Sequence, residues 1–288
     1  MKDFIRNHKL AAFVTTTFLF SWACWLLVFN DLKPSLFDFD SRTLGFFLLG
    51  AYAPSLVAIV FTAYLDGRAG LKSLFKRLLM WRVGFSWNLL ALLIGPVIYA
   101  LAAVLYAANG GTLGEVNYGL LPWIPAVFLV SLFLGPLAEE LGWRGFVMPN
   151  LDTKNKLVKS GIIVGVIWAA WHIPLFWAVI GTSVSGFPVT FESVSLFFLA
   201  SIGCSFFYVW MFNKTGGSVF IAVMIHLSWN ASGNITSMLF PTMSAEQKLA
   251  FYNYPVAIVW SIIAICAVCY WLKHIKKTAE SELKTVNQ

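Results

Sequence analysis

The stretch WIPAVFLVSLFLGPLAEELGWRGFVM occupies Trp123–Met148. It is uncharged for its first sixteen residues, then sets Glu139, Glu140 and Arg144 into the same apolar run. A helix of about 20 mostly apolar residues crosses a hydrocarbon core of roughly 30 Å, so this segment reads as a membrane span that carries charge inside it. The rest of the chain is built alike. Its 288 residues are 59% hydrophobic and only 11% charged, with a mean hydropathy of +0.76, whereas soluble domains carry about 25% charged residues. The chain is an integral membrane protein by composition.

Working outward from that span, seven further uncharged runs have comparable length: Leu10–Phe29, Thr43–Tyr64, Trp87–Ala108, Gly161–Gly181, Ser193–Phe212, Ser218–Met238 and Tyr254–Leu272. They are about twice as long as barrel strands and show no sustained alternation of polar and apolar residues, so each predicts a helix. The expected fold is all-α, a bundle of about eight transmembrane helices. It forms one domain over 1–288, with a motif-bearing core at about 123–238 and a tail at 273–288. No internal repeat or low-complexity linker interrupts it. Cys24, Cys204, Cys266 and Cys269 all fall inside runs, so no disulfide framework is expected.

Lys and Arg sort to one side of these spans. Lys2, Arg6, Lys9, Arg68, Lys72, Lys76, Arg77, Arg82, Lys154, Lys156, Lys159, Lys214, Lys273, Lys276, Lys277 and Lys284 lie on one face, against Lys33, Arg42 and Lys248 on the other. The positive-inside rule then places both termini in the cytoplasm and makes the protein a multi-pass component of the cell membrane. The formal charge of +7 is thereby accounted for by topology, and no nucleic-acid partner is expected; the partners are membrane lipids and whatever enters the bundle. Ala69–Gly84 can form an amphipathic helix on the anionic leaflet or a solvated basic loop. The first apolar run exceeds a signal-peptide core and lacks a clear small-residue cleavage site, so it is expected to be a retained span.

Ionisable side chains at membrane depth cost at least ~2.5–3.5 kcal/mol each on insertion scales and mark functional sites by default. Few occur here: Glu139, Glu140 and Arg144, then His172, then His226. Glu140 and Arg144 are four apart and pair along one helix face, which turns Glu139 about 100° away from them. Trp168 and His172 are four apart, as are His226 and Asn230. At 1.5 Å per residue, Glu139, His172 and His226 lie about 14, 17 and 12 Å from the basic ends of their runs. That common depth predicts one polar cavity, expected to open to the cytoplasmic side.

These residues resemble a known family. EELGWR (Glu139–Arg144) is similar to its E-E-x-x-x-R motif, WAAWH (Trp168–His172) to its aromatic-x-x-x-His motif, and HLSWN (His226–Asn230) to its His-x-x-x-Asn motif. The family is that of the CAAX proteases and bacteriocin-processing enzymes, also called Abi or type II CAAX prenyl endopeptidases. The ordered trio on separate spans carries the resemblance; Trp168 departs from the usual Phe but keeps an aromatic ring.

The resemblance implies an intramembrane endopeptidase acting on a hydrophobic or lipidated peptide or protein, by CAAX-type carboxy-terminal processing or by leader processing of bacteriocins or pheromones. Glu139 and His172 would activate water, and His226 with Asn230 would stabilise the oxyanion. Glu140, Arg144 and Trp168 would support them. Cofactors stay open between a metal-free glutamate mechanism and a zinc metalloprotease with Glu139, His172 and His226 as ligands, ligand types that suit zinc. Serine and aspartyl intramembrane motifs are lacking: Asn230–Gly233 has no preceding glycine for a GxSG, and no GxGD occurs. The alternative from a different class is a non-catalytic scaffold or transporter, with the same polar residues structural or forming a proton relay.

Overall fold

A lipid core offers backbone N–H and C=O groups no water, so each long apolar run must satisfy them within itself and becomes a helix. The computed structural model describes residues 2–286, with the side chains of 245, 252–254 and 274–286 outside the described set; Lys276, Lys277, Lys284 and most of the expected tail fall there. The helices are α1 (Lys2–Asn7), α2 (Lys9–Leu26), α3 (Ser41–Leu78), α4 (Phe85–Ala108), α5 (Ile124–Leu134), α6 (Pro136–Gly142), α7 (Leu157–Trp171), α8 (Ile173–Phe176), α9 (Phe191–Lys214), α10 (Val219–Leu239) and α11 (Ala245–Val286). The protein is all-α and multi-pass.

Among the described residues, six segments are long and apolar enough to cross a membrane: α2, α3, α4, Tyr118–Asn150, α9 and Glu246–Lys273. The two other expected spans, α7 and α10, fall short for different reasons. α7 has only 15 residues, and α10 carries His226, Ser228, Asn230, Ser232, Asn234, Thr236 and Ser237 along its length. α10 packs against α4, α5 and α6, and α7 against α9. α10, wrapped by protein, is released from the composition that lipid contact demands, whereas α7 is apolar, keeps Ile162 and Val166 exposed and falls short in length alone.

Two prolines inside helices, Pro54 and Pro96, are matched by hydroxyls on neighbours. A proline lacks the N–H that would bond the carbonyl four residues back. Pro54 in α3 frees the Gly50 carbonyl, which accepts from Ser21 Oγ at 2.8 Å. Pro96 in α4 frees that of Leu92, which accepts from Ser228 Oγ at 2.6 Å. Each bond ties two helices together at a fixed height. α3 starts on Asp40, whose carboxylate accepts the Thr43 N–H, and turns sharply at Gly67 (φ 62°, ψ −152°). Beyond Gly67 the basic segment stays helical to Leu78, so the first part of the expected amphipathic stretch is a helix and not a loop.

The loops form two separate groups. At one end, Ser218 Oγ donates to the Met80 carbonyl, Arg77 to that of Gly145, Trp271 to that of Lys154, and Asn213 pairs with Thr153. Arg6 reaches the Leu65 carbonyl there as well. At the other end, the Asn117 N–H donates to the Leu239 carbonyl, Gln247 to that of Thr112, and Arg42 pairs with Asp31.

Candidate active site

The charged segment is not one continuous helix. It breaks at Gly135 (φ −143°, ψ −70°), where Pro136 cannot extend the preceding helix but suits the first position of the next. Carbonyls on either side of the break accept from α3: Tyr52 Oη donates to Phe133 and Ser55 Oγ to Leu137. α6 then lies close on α3, for a Cβ at Gly142 would stand 2.7 Å from the Pro54 carbonyl oxygen. After α6 the backbone widens into a π turn at Trp143–Val147, a feature frequent at functional sites.

This geometry sorts the two glutamates. Glu140, wholly buried, accepts at one oxygen from Arg144 Nη1 at 2.9 Å and from His226 Nδ1 at 2.8 Å. The Arg144 guanidinium lies 3.7 Å from the ring centre of Tyr208 and 4.8 Å from that of Trp168. Its Nε and Nη2 find no acceptor among the described residues; the aromatic faces take that place, a favourable arrangement for a desolvated cation. Glu139 instead lines a cavity. Its Oε2 accepts two indole N–H groups, Trp168 at 2.6 Å and Trp143 at 3.3 Å, which leaves Oε1 without a protein partner among the described residues.

Both histidines have one ring nitrogen occupied. His172 Nδ1 stands 2.8 Å from the Trp168 carbonyl and His226 Nδ1 faces the Glu140 carboxylate. Each partner only accepts, so each Nδ1 carries the proton, and Nε2 of the neutral ring presents a lone pair. His226 Nε2 and Asn230 Nδ2 converge on Gly135, lying 3.3 and 2.7 Å from where a Cβ there would stand. Glu139, His172, His226, Asn230, Trp168 and Gly135 all line one cavity of about 610 Å³.

Sequence reading paired Glu140 with Arg144 and put Trp168 beside His172. It did not find that Glu140 also holds His226, that Trp168 donates to Glu139, or that Trp143, Tyr208 and Gly135 belong to the site. The Gly135–Pro136 dipeptide was the one available signal of a break. Glu139, His172 and His226 do not fit a zinc site: among the described residues no group of three or more His, Cys, Asp or Glu side chains is placed to hold a metal ion.

The cavity extends away from the basic loops. From His226 it follows α10 past Asn230, Asn234 and Ser237 to Lys248, Ser35 and Ser183. On the other side Trp143, Arg144, Val147, Met148 and Tyr208, all at 0% exposure, fill the bundle. A common depth sets the level of a site but not the direction of its mouth. Half-exposed Val130 of α5 and Val179 beyond α8 also line the cavity, so its apolar wall reaches the lipid-facing surface.

The sequence is similar to those of known proteins. Residues 121–232, which hold all three motifs, match the sequence profile described as type II CAAX prenyl endopeptidase Rce1-like. A CAAX prenyl protease 2 of Methanococcus maripaludis is 23% identical over 255 residues, covering 85% of this chain and 90% of that protein. With its motifs brought together around one cavity and its similarity extending well beyond them, the chain is similar to the Rce1-like type II CAAX prenyl endopeptidase family, a family of proteases.

Proposed function

We propose that this chain is an intramembrane endopeptidase, a single integral-membrane domain that hydrolyses a peptide bond of a hydrophobic or lipidated peptide; a prenylated carboxy terminus is the substrate class that the similarity to CAAX prenyl endopeptidases suggests. One observation carries the reading: Glu139 offers a single unengaged carboxylate oxygen to a cavity in which His226 Nε2 and Asn230 Nδ2 converge at the helix break.

The chemistry follows from these groups. Water bound at Glu139 Oε1 and His172 Nε2 loses a proton to the carboxylate as its oxygen bonds to the scissile carbonyl carbon. The indole pair on Oε2 holds the carboxylate still, so little reorganisation is needed in the reaction. Negative charge develops on the carbonyl oxygen, which the Asn230 amide stabilises by donation, with His226 Nε2 as a second donor once its ring is protonated. Collapse breaks the C–N bond, and the proton held by Glu139 passes to the departing amine. Glu140 orients His226 through Nδ1, as a carboxylate does for an imidazole in other hydrolytic sites, while Arg144 balances the charge of Glu140. No step needs a metal ligand from these side chains.

The test uses the full-length protein in liposomes with a fluorescence-quenched peptide bearing a farnesylated cysteine. Glu139→Gln keeps the shape and removes the base, and turnover is expected to fall roughly 10²–10⁴-fold with unchanged thermal unfolding. Wild-type turnover in that variant rules the mechanism out.

A further inference from the structure

Between two of the long apolar helices the chain carries a basic segment that the proposed chemistry does not use. α3 has 38 residues, far more than the roughly 20 that cross a hydrocarbon core. It turns at Gly67, and α4, the next helix long and apolar enough to cross, begins at Phe85. Residues 68–84 therefore lie at one boundary of the membrane. There Lys72, Phe75, Lys76, Leu79, Trp81 and Arg82 line an open groove of about 550 Å³. All six are exposed, so the groove presents three cations and three large apolar side chains together. Lys72 and Lys76 stand four apart on one helix, a spacing at which like charges repel. Among the described residues neither they nor Arg82 pairs with a carboxylate; the Arg82 guanidinium lies instead 4.9 Å from the ring centre of Trp81. We propose that this groove binds an anionic phospholipid, with the headgroup phosphate between Lys72, Lys76 and Arg82 and the acyl chains along Phe75, Leu79 and Trp81.

The mixed lining selects this occupant. A guanidinium offers two parallel donors to phosphate oxygens, ammonium groups add point charges, and tryptophan favours the headgroup level. Free phosphate or an acidic protein segment would meet the three cations but leave Phe75, Leu79 and Trp81 uncovered. A zwitterionic lipid would cover the apolar side chains while its own cation opposes Lys72 and Lys76. The groove is also braced against the polar site. The Met80 carbonyl accepts from Ser218 Oγ at 2.8 Å, and Ser218 caps α10, which carries His226 and Asn230. Arg77, beside Lys76, donates to the Gly145 carbonyl at 2.7 Å, next to Arg144 in the π turn. A lipid that fixes the groove thereby steadies the ends of both elements, and by mass action it stabilises the folded chain. Binding at the groove does not depend on the protease reading.

The test titrates phosphatidylglycerol into the purified full-length protein in uncharged detergent micelles and follows thermal unfolding by tryptophan fluorescence. Phosphatidylcholine, inorganic phosphate and an oligoglutamate peptide are titrated in parallel. The wild-type chain is expected to gain a saturable rise in unfolding temperature with phosphatidylglycerol alone. In a triple variant, Lys72→Gln with Lys76→Gln and Arg82→Gln, the midpoint of that titration should move about 10²-fold to higher lipid, the loss of three cations near an anionic headgroup. Removing three charges elsewhere, by Lys154→Gln, Lys156→Gln and Lys159→Gln in exposed positions, should leave the midpoint where it was. Lys72→Arg with Lys76→Arg keeps the charge and should keep the response, which preserves the test if the triple variant does not fold. An unresponsive wild-type chain, an equal response to phosphatidylcholine, phosphate or oligoglutamate, an unmoved midpoint in the folded triple variant, an equal shift in the Lys154, Lys156 and Lys159 variant, or loss of the response in the arginine variant each overturns the inference.

Discussion

Replacing Gly135 by alanine tests the site with a single methyl group. Gly135 has a φ of −143°, outside the left-handed region that favours glycine, so the test turns on what the new Cβ meets. The new Cβ would stand 2.7 Å from Asn230 Nδ2 and 3.3 Å from His226 Nε2, where ordinary contact begins at 3.4 Å. Asn230 must therefore retreat by about 0.7 Å, a shift its half-buried amide makes easily by rotating toward the cavity, and His226, bonded to Glu140 through Nδ1, yields far less. Displacing a catalytic group by about 1 Å costs up to about 10²-fold in rate, and loss of an oxyanion donor about 10²–10³-fold. Gly135→Ala should thus lower kcat by at least about tenfold, with little change in KM because the rest of the cavity is untouched. Thermal unfolding followed by intrinsic tryptophan fluorescence should change little. Gly45→Ala in α3, where a Cβ meets nothing within 4 Å, is the control; it should keep full turnover and gain stability by about 0.5–1 kcal/mol from helix propensity. A folded Gly135→Ala enzyme with wild-type kcat would refute the reasoning, because the charge of the transition state could not then form where Asn230 and His226 converge.

Two further outcomes follow from the same contacts. Trp168→Phe removes the 2.6 Å donor from Glu139 and leaves the longer one from Trp143; a hydrogen bond to a charged group is worth about 1.5–3 kcal/mol, so the variant should lose stability on that scale and Trp143→Phe less. Equal losses in the two, measured by denaturation in detergent, would mean that the 2.6 Å bond is not the stronger. Ser228→Ala deprives the Leu92 carbonyl of its donor and should cost about 1–3 kcal/mol; in a Pro96→Ala background, where a backbone N–H is restored to that carbonyl, the cost should shrink. A double-mutant cycle without coupling would contradict the account of the α4 proline.

Much of the architecture was legible in the sequence because lipid contact acts on residues one at a time. Each apolar run meets the bilayer through its own surface, so its composition reports its surroundings directly, and the sorting of Lys and Arg into alternate loops is additive in the same way. The four-residue spacings of Glu140 with Arg144 and of His226 with Asn230 were likewise readable, being set by the helix period alone. What tertiary structure decided is everything that depends on neighbours distant in the chain. His226 bonds Glu140 across 86 positions and Trp168 bonds Glu139 across 29, and no local pattern encodes either partner. The polar α10 departs from span composition because other helices, and not lipid, surround most of it. Depth along a helix is a one-dimensional quantity and leaves the direction of the cavity open; the mouth lies wherever side chains from separate helices fail to fill space, and Trp143, Arg144, Val147, Met148 and Tyr208 fill the basic end.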